Sequence, residues 1–321
     1  MRALAKVLSV LVILVVLLVG FVGINFYGFA PKRRPAAPVT APRTAEAVER
    51  GRYLAGSVAA CMTCHSEIDE AKPGDSIKPG RLGSGRDFGD LLGFPGKVRA
   101  PNLSSSPDGL ASWTDGEILR AFREGISRDG RPLFPFMPYP SYAKQLTDED
   151  ALALVAYLRT LPPVSGKPAP TEIKFPVSMF ARKAPAPVLK GAEPLPKDPV
   201  ARGRRLIELA SCADCHNTFD ERHQPLPGMH LAGGFPFAVP GKGTVHAPNL
   251  TPDPDTGIGR HSDEELIRAI KAGVGRDGRI LYIMPWTAYT GMTEEDARAI
   301  VAALRTIPAV GNPVAKRSFK E

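Results

Sequence analysis

Four cysteines and two of the six histidines stand in two identical spacings, Cys61-Met62-Thr63-Cys64-His65 and Cys212-Ala213-Asp214-Cys215-His216. Two thiols one helical turn apart, followed at once by an imidazole, form the attachment signature of a c-type haem. The thiols add to the two vinyl groups on one porphyrin edge, and the next residue directs a ring nitrogen at the iron. The pattern predicts two covalently bound haem c groups, held by Cys61, Cys64, His65, Cys212, Cys215 and His216, with His65 and His216 as iron ligands. A zinc shared by the four thiols would force two distant segments onto one metal and leave both histidines unexplained. A redox dithiol needs a βαβ setting, and the sequence offers none.

The sixth iron ligand follows from counting. His65 is the sole histidine of residues 46–165, so a second imidazole cannot come from that segment. Met137, before Pro138, lies 76 residues after Cys61, and Met284, before Pro285, lies 72 residues after Cys212. A thioether in that position raises the potential relative to two histidines. The alternatives are two core-filling methionines and, for the second site, His223, His230, His246 or His261. Met62 sits inside the attachment loop, Met229 has no methionine counterpart in the first copy, and Met292 aligns with Gln145, whereas Met284 aligns with Met137. Asn102 and Asn249, in a repeated Ala-Pro-Asn-Leu, are candidates for bonding a haem propionate or the axial sulfur, or for capping a turn. Arg99 and Arg131 are candidate propionate partners or solvated side chains. No constellation of catalytic residues emerges, so the expected role is carriage of electrons. A dihaem peroxidase or thiosulfate-oxidising cytochrome is the alternative.

These residues recur because the chain contains one unit twice. Gly51-Arg52-x-Leu54 matches Gly203-Arg204-x-Leu206, Ala100-Pro-Asn-Leu103 matches Ala247-Pro-Asn-Leu250, and Arg128-Asp-Gly-Arg131 matches Arg276-Asp-Gly-Arg279. Leu158-Arg-Thr-Leu-Pro162 matches Leu304-Arg-Thr-Ile-Pro308. In each copy a short helix leads to the cysteines, residues 49–60 in the first. A second opens at a capping box, Thr114/Glu117 or Ser262/Glu265, and stops at Gly125 or Gly273. A third opens at Thr147 or Thr293 and closes before proline. Strand-like alternation is not apparent, so the expected class is all-α, with too few helices to fill each centre without a haem.

Residues 7–24 carry no charge and, as a helix, span about 27 Å, close to the hydrocarbon thickness of a bilayer. Phe26, Tyr27 and Phe29 follow as an interfacial aromatic group. The stretch predicts an uncleaved anchor; the competing reading is a signal peptide cut at Gly28-Phe29-Ala30. The expected organisation is an anchor at 1–30, a linker at 31–45, haem domains at 46–165 and 200–311, a Pro-rich spacer or strap at 166–199 and a basic tail at 312–321. Three basic residues follow the helix and two precede it, which does not favour export. Haem attachment of this kind takes place outside a bacterial inner membrane, so the haem domains are expected in the periplasm.

The net charge of +8 on 321 residues looks at first like a nucleic-acid signal. It divides as +6 in residues 1–45, −2 in 46–165, +3 in 166–199, −1 in 200–311 and +2 in 312–321. The two long segments are slightly acidic and carry no basic stripe for a phosphate backbone, so nucleic acid is excluded as a partner. The 33 prolines and 31 glycines imply long irregular connections.

The run Ala247-Pro-Asn-Leu-Thr-Pro-Asp-Pro-Asp-Thr-Gly-Ile-Gly-Arg260, followed by Ser262-Asp-Glu-Glu-Leu-Ile-Arg-Ala-Ile270 and Met284-Pro285, resembles the multihaem cytochrome c subunits of bacterial membrane-bound alcohol and gluconate dehydrogenases. The resemblance implies two tandem class I cytochrome c domains, with His65 and His216 proximal and Met137 and Met284 distal. It also implies a periplasmic or membrane-bound dehydrogenase as electron donor and the quinone pool, a small cytochrome or a terminal oxidase as acceptor. Such subunits usually carry three haem domains; this sequence carries two.

Overall fold

The computed structural model describes residues 2–24, 34–89, 95–180, 186–221, 223–239, 241–315 and 318–319. Helix α1 (Arg2–Gly23) is 22 residues long, or about 33 Å, and none of it is buried against the protein. Its one hydroxyl is satisfied within the helix, Ser9 Oγ donating to the Ala5 carbonyl at 2.9 Å. The helix is long and apolar enough to cross a membrane. The aromatic group Phe26, Tyr27 and Phe29 and the alternative cleavage site at Gly28–Ala30 lie outside the described residues.

The first domain opens with α2 (Ala45–Tyr53), capped by Thr44 and continued by a π-helical turn, Leu54–Val58. Ala60, at φ 48°, breaks the helix and starts α3 (Cys61–Cys64). Three two-residue strands follow: β1 (Arg86–Asp87), β2 (Gly96–Lys97) and β3 (Arg99–Ala100). Then come α4 (Asp115–Glu124), α5 (Tyr139–Gln145) and α6 (Asp148–Leu158). Beyond them lie β4 (Glu172–Ile173) and α7 (Val177–Phe180). The second domain repeats the plan with α8 (Pro199–Leu209), α9 (Cys212–His216), β5 (Pro236–Val239), β6 (Gly243–His246), α10 (Asp263–Ala272), α11 (Trp286–Tyr289), α12 (Glu294–Arg305) and β7 (Ser318–Phe319). Both capping boxes form as the sequence predicts, and Gly125 and Gly273 end their helices at φ 63° and 65°.

One expectation is corrected. The sequence shows no obvious strand, yet β5 and β6 pair antiparallel from Pro236–His246 to Val239–Gly243, and Ser318–Phe319 of the basic tail adds a third strand. Phe237 and Val239 do alternate with exposed neighbours, but four residues bounded by Pro and Gly are too short to stand out.

The repeated Gly-Arg-x-Leu motif is the crossing point of each domain's first and last helices. A Cβ on Gly51 would lie 1.9 Å from the Ala153 carbonyl oxygen of α6, and one on Gly203 would lie 1.8 Å from that of Ala299 in α12. Glycine alone lets the backbones meet this closely. Leu54 and Leu206 are buried beside the crossing. Equivalent ion pairs flank it, Arg50–Asp150 at 2.7 Å and Arg202–Asp296 at 2.6 Å.

Both stretches read as linkers are tied to the first domain. The Ala41 N–H donates to Asp115 at 2.8 Å, Arg43 pairs with the same carboxylate at 3.0 Å, and Arg34 pairs with Glu124 at 2.6 Å. Residues of the Pro-rich segment pair as β4 with β2, and Arg99 donates to the Pro170 carbonyl at 2.7 Å.

The two domains pack through equivalent surfaces, with α11 against the π-helical turn of the first domain and α5 against α8. Tyr53 donates to Asp296, Arg205 to the Gln145 carbonyl, and Ser141 to the Glu208 carbonyl at 2.8 Å. Asp296, 1 % exposed, therefore has partners from both domains. One apolar cluster runs through both halves.

Candidate haem sites

Each attachment motif is held as one helical turn, begun by a left-handed residue, Ala60 at φ 48° or Ser211 at φ 54°. That turn puts the two thiols of a motif side by side at the edge of the core. None of the four cysteines is in a disulfide, and Cys61 and Cys212 pack against the main cluster. Burial is the main cause that pushes the Cys61, Cys212 and Cys215 thiols up to about 12, and it raises Cys64 as well. Among the described residues no three His, Cys, Asp or Glu side chains are grouped to hold a metal ion, so the four cysteines are not gathered as a zinc centre.

The two histidines are oriented identically. His65 Nδ1 meets the Pro101 carbonyl at 2.9 Å, and His216 Nδ1 meets the Pro248 carbonyl at 2.9 Å. Such a bond fixes the tautomer and leaves Nε2 for a metal. Burial lowers both imidazole pKa values, outweighing the carbonyl contact, so each ring is kept neutral as a ligand must be. Both acceptors belong to the repeated Ala-Pro-Asn-Leu. Sequence reasoning singled out the asparagine there and missed the proline carbonyl, although the motif's fixed place after each histidine pointed to it.

The asparagines serve the turn. Asn102 Nδ2 donates to the Val164 and Gly166 carbonyls, both at 2.8 Å, and its Oδ1 accepts from the Ser104 N–H at 2.8 Å. Asn249 Nδ2 donates to the Val310 carbonyl at 2.8 Å, and its Oδ1 accepts from the Thr251 N–H at 2.9 Å. Each pins the chain after its domain's last helix, which is the turn-holding role among the two alternatives the sequence leaves open. Arg99 is committed to Asp87 at 2.7 Å, while exposed Arg131 stands 3.6 Å from Asp129. Arg86, not singled out in the sequence, donates to the Thr63 carbonyl of the attachment loop at 3.0 Å and covers the Phe88 ring at 4.7 Å.

Met137 and Met284 occupy equivalent turns at the rim of the core, just before α5 and α11. Each turn closes the same way, the Tyr139 N–H donating to the Met137 carbonyl and the Trp286 N–H to the Met284 carbonyl, both at 2.8 Å. Phe134, Phe136, Leu281 and Ile283 in these turns stay half-exposed. Apolar side chains left partly open beside paired thiols and a preoriented imidazole fit a flat apolar macrocycle. Of the spare histidines, His223 lies against Phe235 with ring centroids 6.2 Å apart, and burial foremost lowers the His261 pKa.

The fold and both sites define a tandem c-type haem protein. The family model for cytochrome c matches residues 48–162 and 200–308, and the chain belongs to the cytochrome c family. It is 31 % identical over 292 residues to the fructose dehydrogenase cytochrome subunit of Gluconobacter japonicus, covering 87 % of this chain and 56 % of that protein. It is 34 % identical to the gluconate 2-dehydrogenase cytochrome c subunit of Pantoea cypripedii, over 70 % of this chain and 51 % of that protein. A diheme cytochrome c-type protein of Cereibacter sphaeroides is 29 % identical, over 78 % of this chain and 82 % of its own length. The chain thus spans about half the length of the two dehydrogenase subunits. It carries two covalently bound haem c groups, and its role is electron transfer.

Proposed function

We propose that this chain takes single electrons from a membrane-associated dehydrogenase and passes them to a respiratory acceptor, namely the quinone pool, a small cytochrome or a terminal oxidase. The pairing of the His65 and His216 rings with the Pro101 and Pro248 carbonyls carries this reading, because it prepares two equivalent metal-binding imidazoles. His65 and Met137 would ligate the first iron, and His216 and Met284 the second. Cys61 with Cys64, and Cys212 with Cys215, hold the macrocycles. Haem supplies a one-electron iron couple. The protein orients the ligands, keeps the imidazoles neutral and shields the irons in apolar surroundings. The haem domains, residues 46–165 and 200–311, stand in the periplasm, and α1 anchors them to the inner membrane.

The relatives named as dehydrogenase cytochrome subunits support the choice of donor. The test is to purify the native chain from membranes in detergent and identify what accompanies it. A dehydrogenase that co-purifies and reduces both haems with its own substrate is the expected result. A mature chain that begins at residue 31 and is released by salt would overturn the anchor. Peroxide turnover without any dehydrogenase would overturn the carrier role.

A further inference from the structure

We propose that the loop of residues 70–75 in the first domain is a positioning element for Met284 in the second. The inference rests on Met284 as the sixth ligand of the second iron. The loop reaches across the domain boundary and seats on the turn that carries this methionine. The Gly74 N–H donates to the Tyr282 carbonyl at 2.8 Å, and the Thr287 hydroxyl donates to the Gly74 carbonyl at 2.5 Å. The Tyr282 hydroxyl donates to the Glu70 carbonyl at 2.9 Å. Trp286 lies directly on the loop: a Cβ at Gly74, where φ is +74°, would stand 2.5 Å from its indole Nε1. The same Nε1 donates to the Leu281 carbonyl at 2.9 Å, closing the turn around Met284. Met284 is thus bracketed in sequence by residues that the other domain holds.

The contact continues back to the first haem site. Asp75, next to Gly74, pairs with Arg86 at 3.2 Å, and Arg86 donates to the Thr63 carbonyl between Cys61 and Cys64 at 3.0 Å. A run of direct contacts therefore joins one attachment motif to the other site's methionine turn. The duplication explains why the arrangement is lopsided. The first domain's loop is closed by an Ile68–Ile77 bridge and the second's by Phe219–Pro225, so the first is the longer. Met137's turn is packed within its own half instead, Phe136 against Phe88 with centroids 5.2 Å apart and with Ile173 nearby.

A thioether is a ligand that exogenous imidazole displaces, and how readily depends on how firmly the turn holds the sulfur. The test is a spectral imidazole titration of the full-length oxidised holoprotein. Tyr282→Phe with Thr287→Val removes two of the three hydrogen bonds that this loop makes across the boundary, without adding bulk. Imidazole affinity should rise about tenfold at the second iron and stay at the wild-type value at the first. Tyr282→Phe with Thr287→Ser, which keeps one hydroxyl, should fall between. Met284→Ala, measured alongside, should remove half of the sulfur-to-iron absorption and identifies the second iron's phase. If that absorption halves in Met284→Ala but the double variant binds imidazole as wild type does, or both irons shift alike, the positioning role is overturned and the ligand assignment stands. If Met284→Ala leaves the absorption whole, the ligand assignment falls and the positioning role falls with it.

Discussion

Replacing Gly51 by alanine on an isolated helix would stabilise it by about 1 kcal/mol. In this protein the same change should do the opposite. The new methyl would sit 1.9 Å from the Ala153 carbonyl oxygen and 2.8 Å from Tyr157 Cβ. A carbon meets a carbonyl oxygen at about 3.3–3.6 Å, so α2 and α6 must part by more than about 1 Å. That separation loosens the Arg50–Asp150 pair and the packing of Leu54 and Val155, both fully buried. Overpacking of this kind costs about 1–3 kcal/mol, and the lost contacts add to it. The net expectation is destabilisation by about 2 kcal/mol, against the helix propensity. The assay is guanidinium unfolding of the holoprotein, followed by sulfur-to-iron absorption and by far-ultraviolet dichroism. Gly203→Ala should behave alike, because its methyl would lie 1.8 Å from the Ala299 oxygen. An unchanged or raised midpoint for Gly51→Ala would refute the close crossing as the reason for the motif.

Cys212→Ser with Cys215→Ser should leave one covalent haem per chain, read by mass spectrometry. Asn249→Ala should leave both haem spectra as they are but lower stability by about 1–3 kcal/mol, since the buried Thr251 N–H loses its acceptor. Asp115 predicts a pH dependence. Burial alone would raise its pKa, but the Ala41 N–H, Arg159 and Arg43 outweigh this and hold it below the ordinary carboxylate value. The unfolded chain therefore binds this proton more readily. The stabilisation is complete above the unfolded value of about 4 and is lost as pH falls through the lower folded value. Denaturant midpoints measured down through that window should fall less steeply in Asp115→Asn than in the wild type.

The covalent chemistry was the most legible part of this protein, because haem attachment leaves little freedom in the spacing of Cys61, Cys64 and His65. The caps at Thr114 and Ser262 were legible because a capping box is complete within four residues. Gly51 and Gly203 were visible as a repeated motif, but their reason appears only where α2 meets α6 and α8 meets α12. The Pro101 and Pro248 carbonyls were hidden behind the more conspicuous asparagines. The hairpin of β5 and β6 was hidden by its shortness and its Pro and Gly borders. The seat of Gly74 on Trp286 joins residues far apart in the chain, and no local pattern could announce it.

Two covalent haems per chain, each with one histidine and one methionine on its iron, can be counted in a single preparation. The direct measurement is sulfur-to-iron absorption of the oxidised, full-length holoprotein, normalised to haem per chain from the pyridine haemochrome. Two haems are expected, with absorption for two methionine-ligated irons, halved in Met137→Ala and in Met284→Ala alike. One haem per chain, or two haems with absorption for fewer than two such irons, would contradict this expectation.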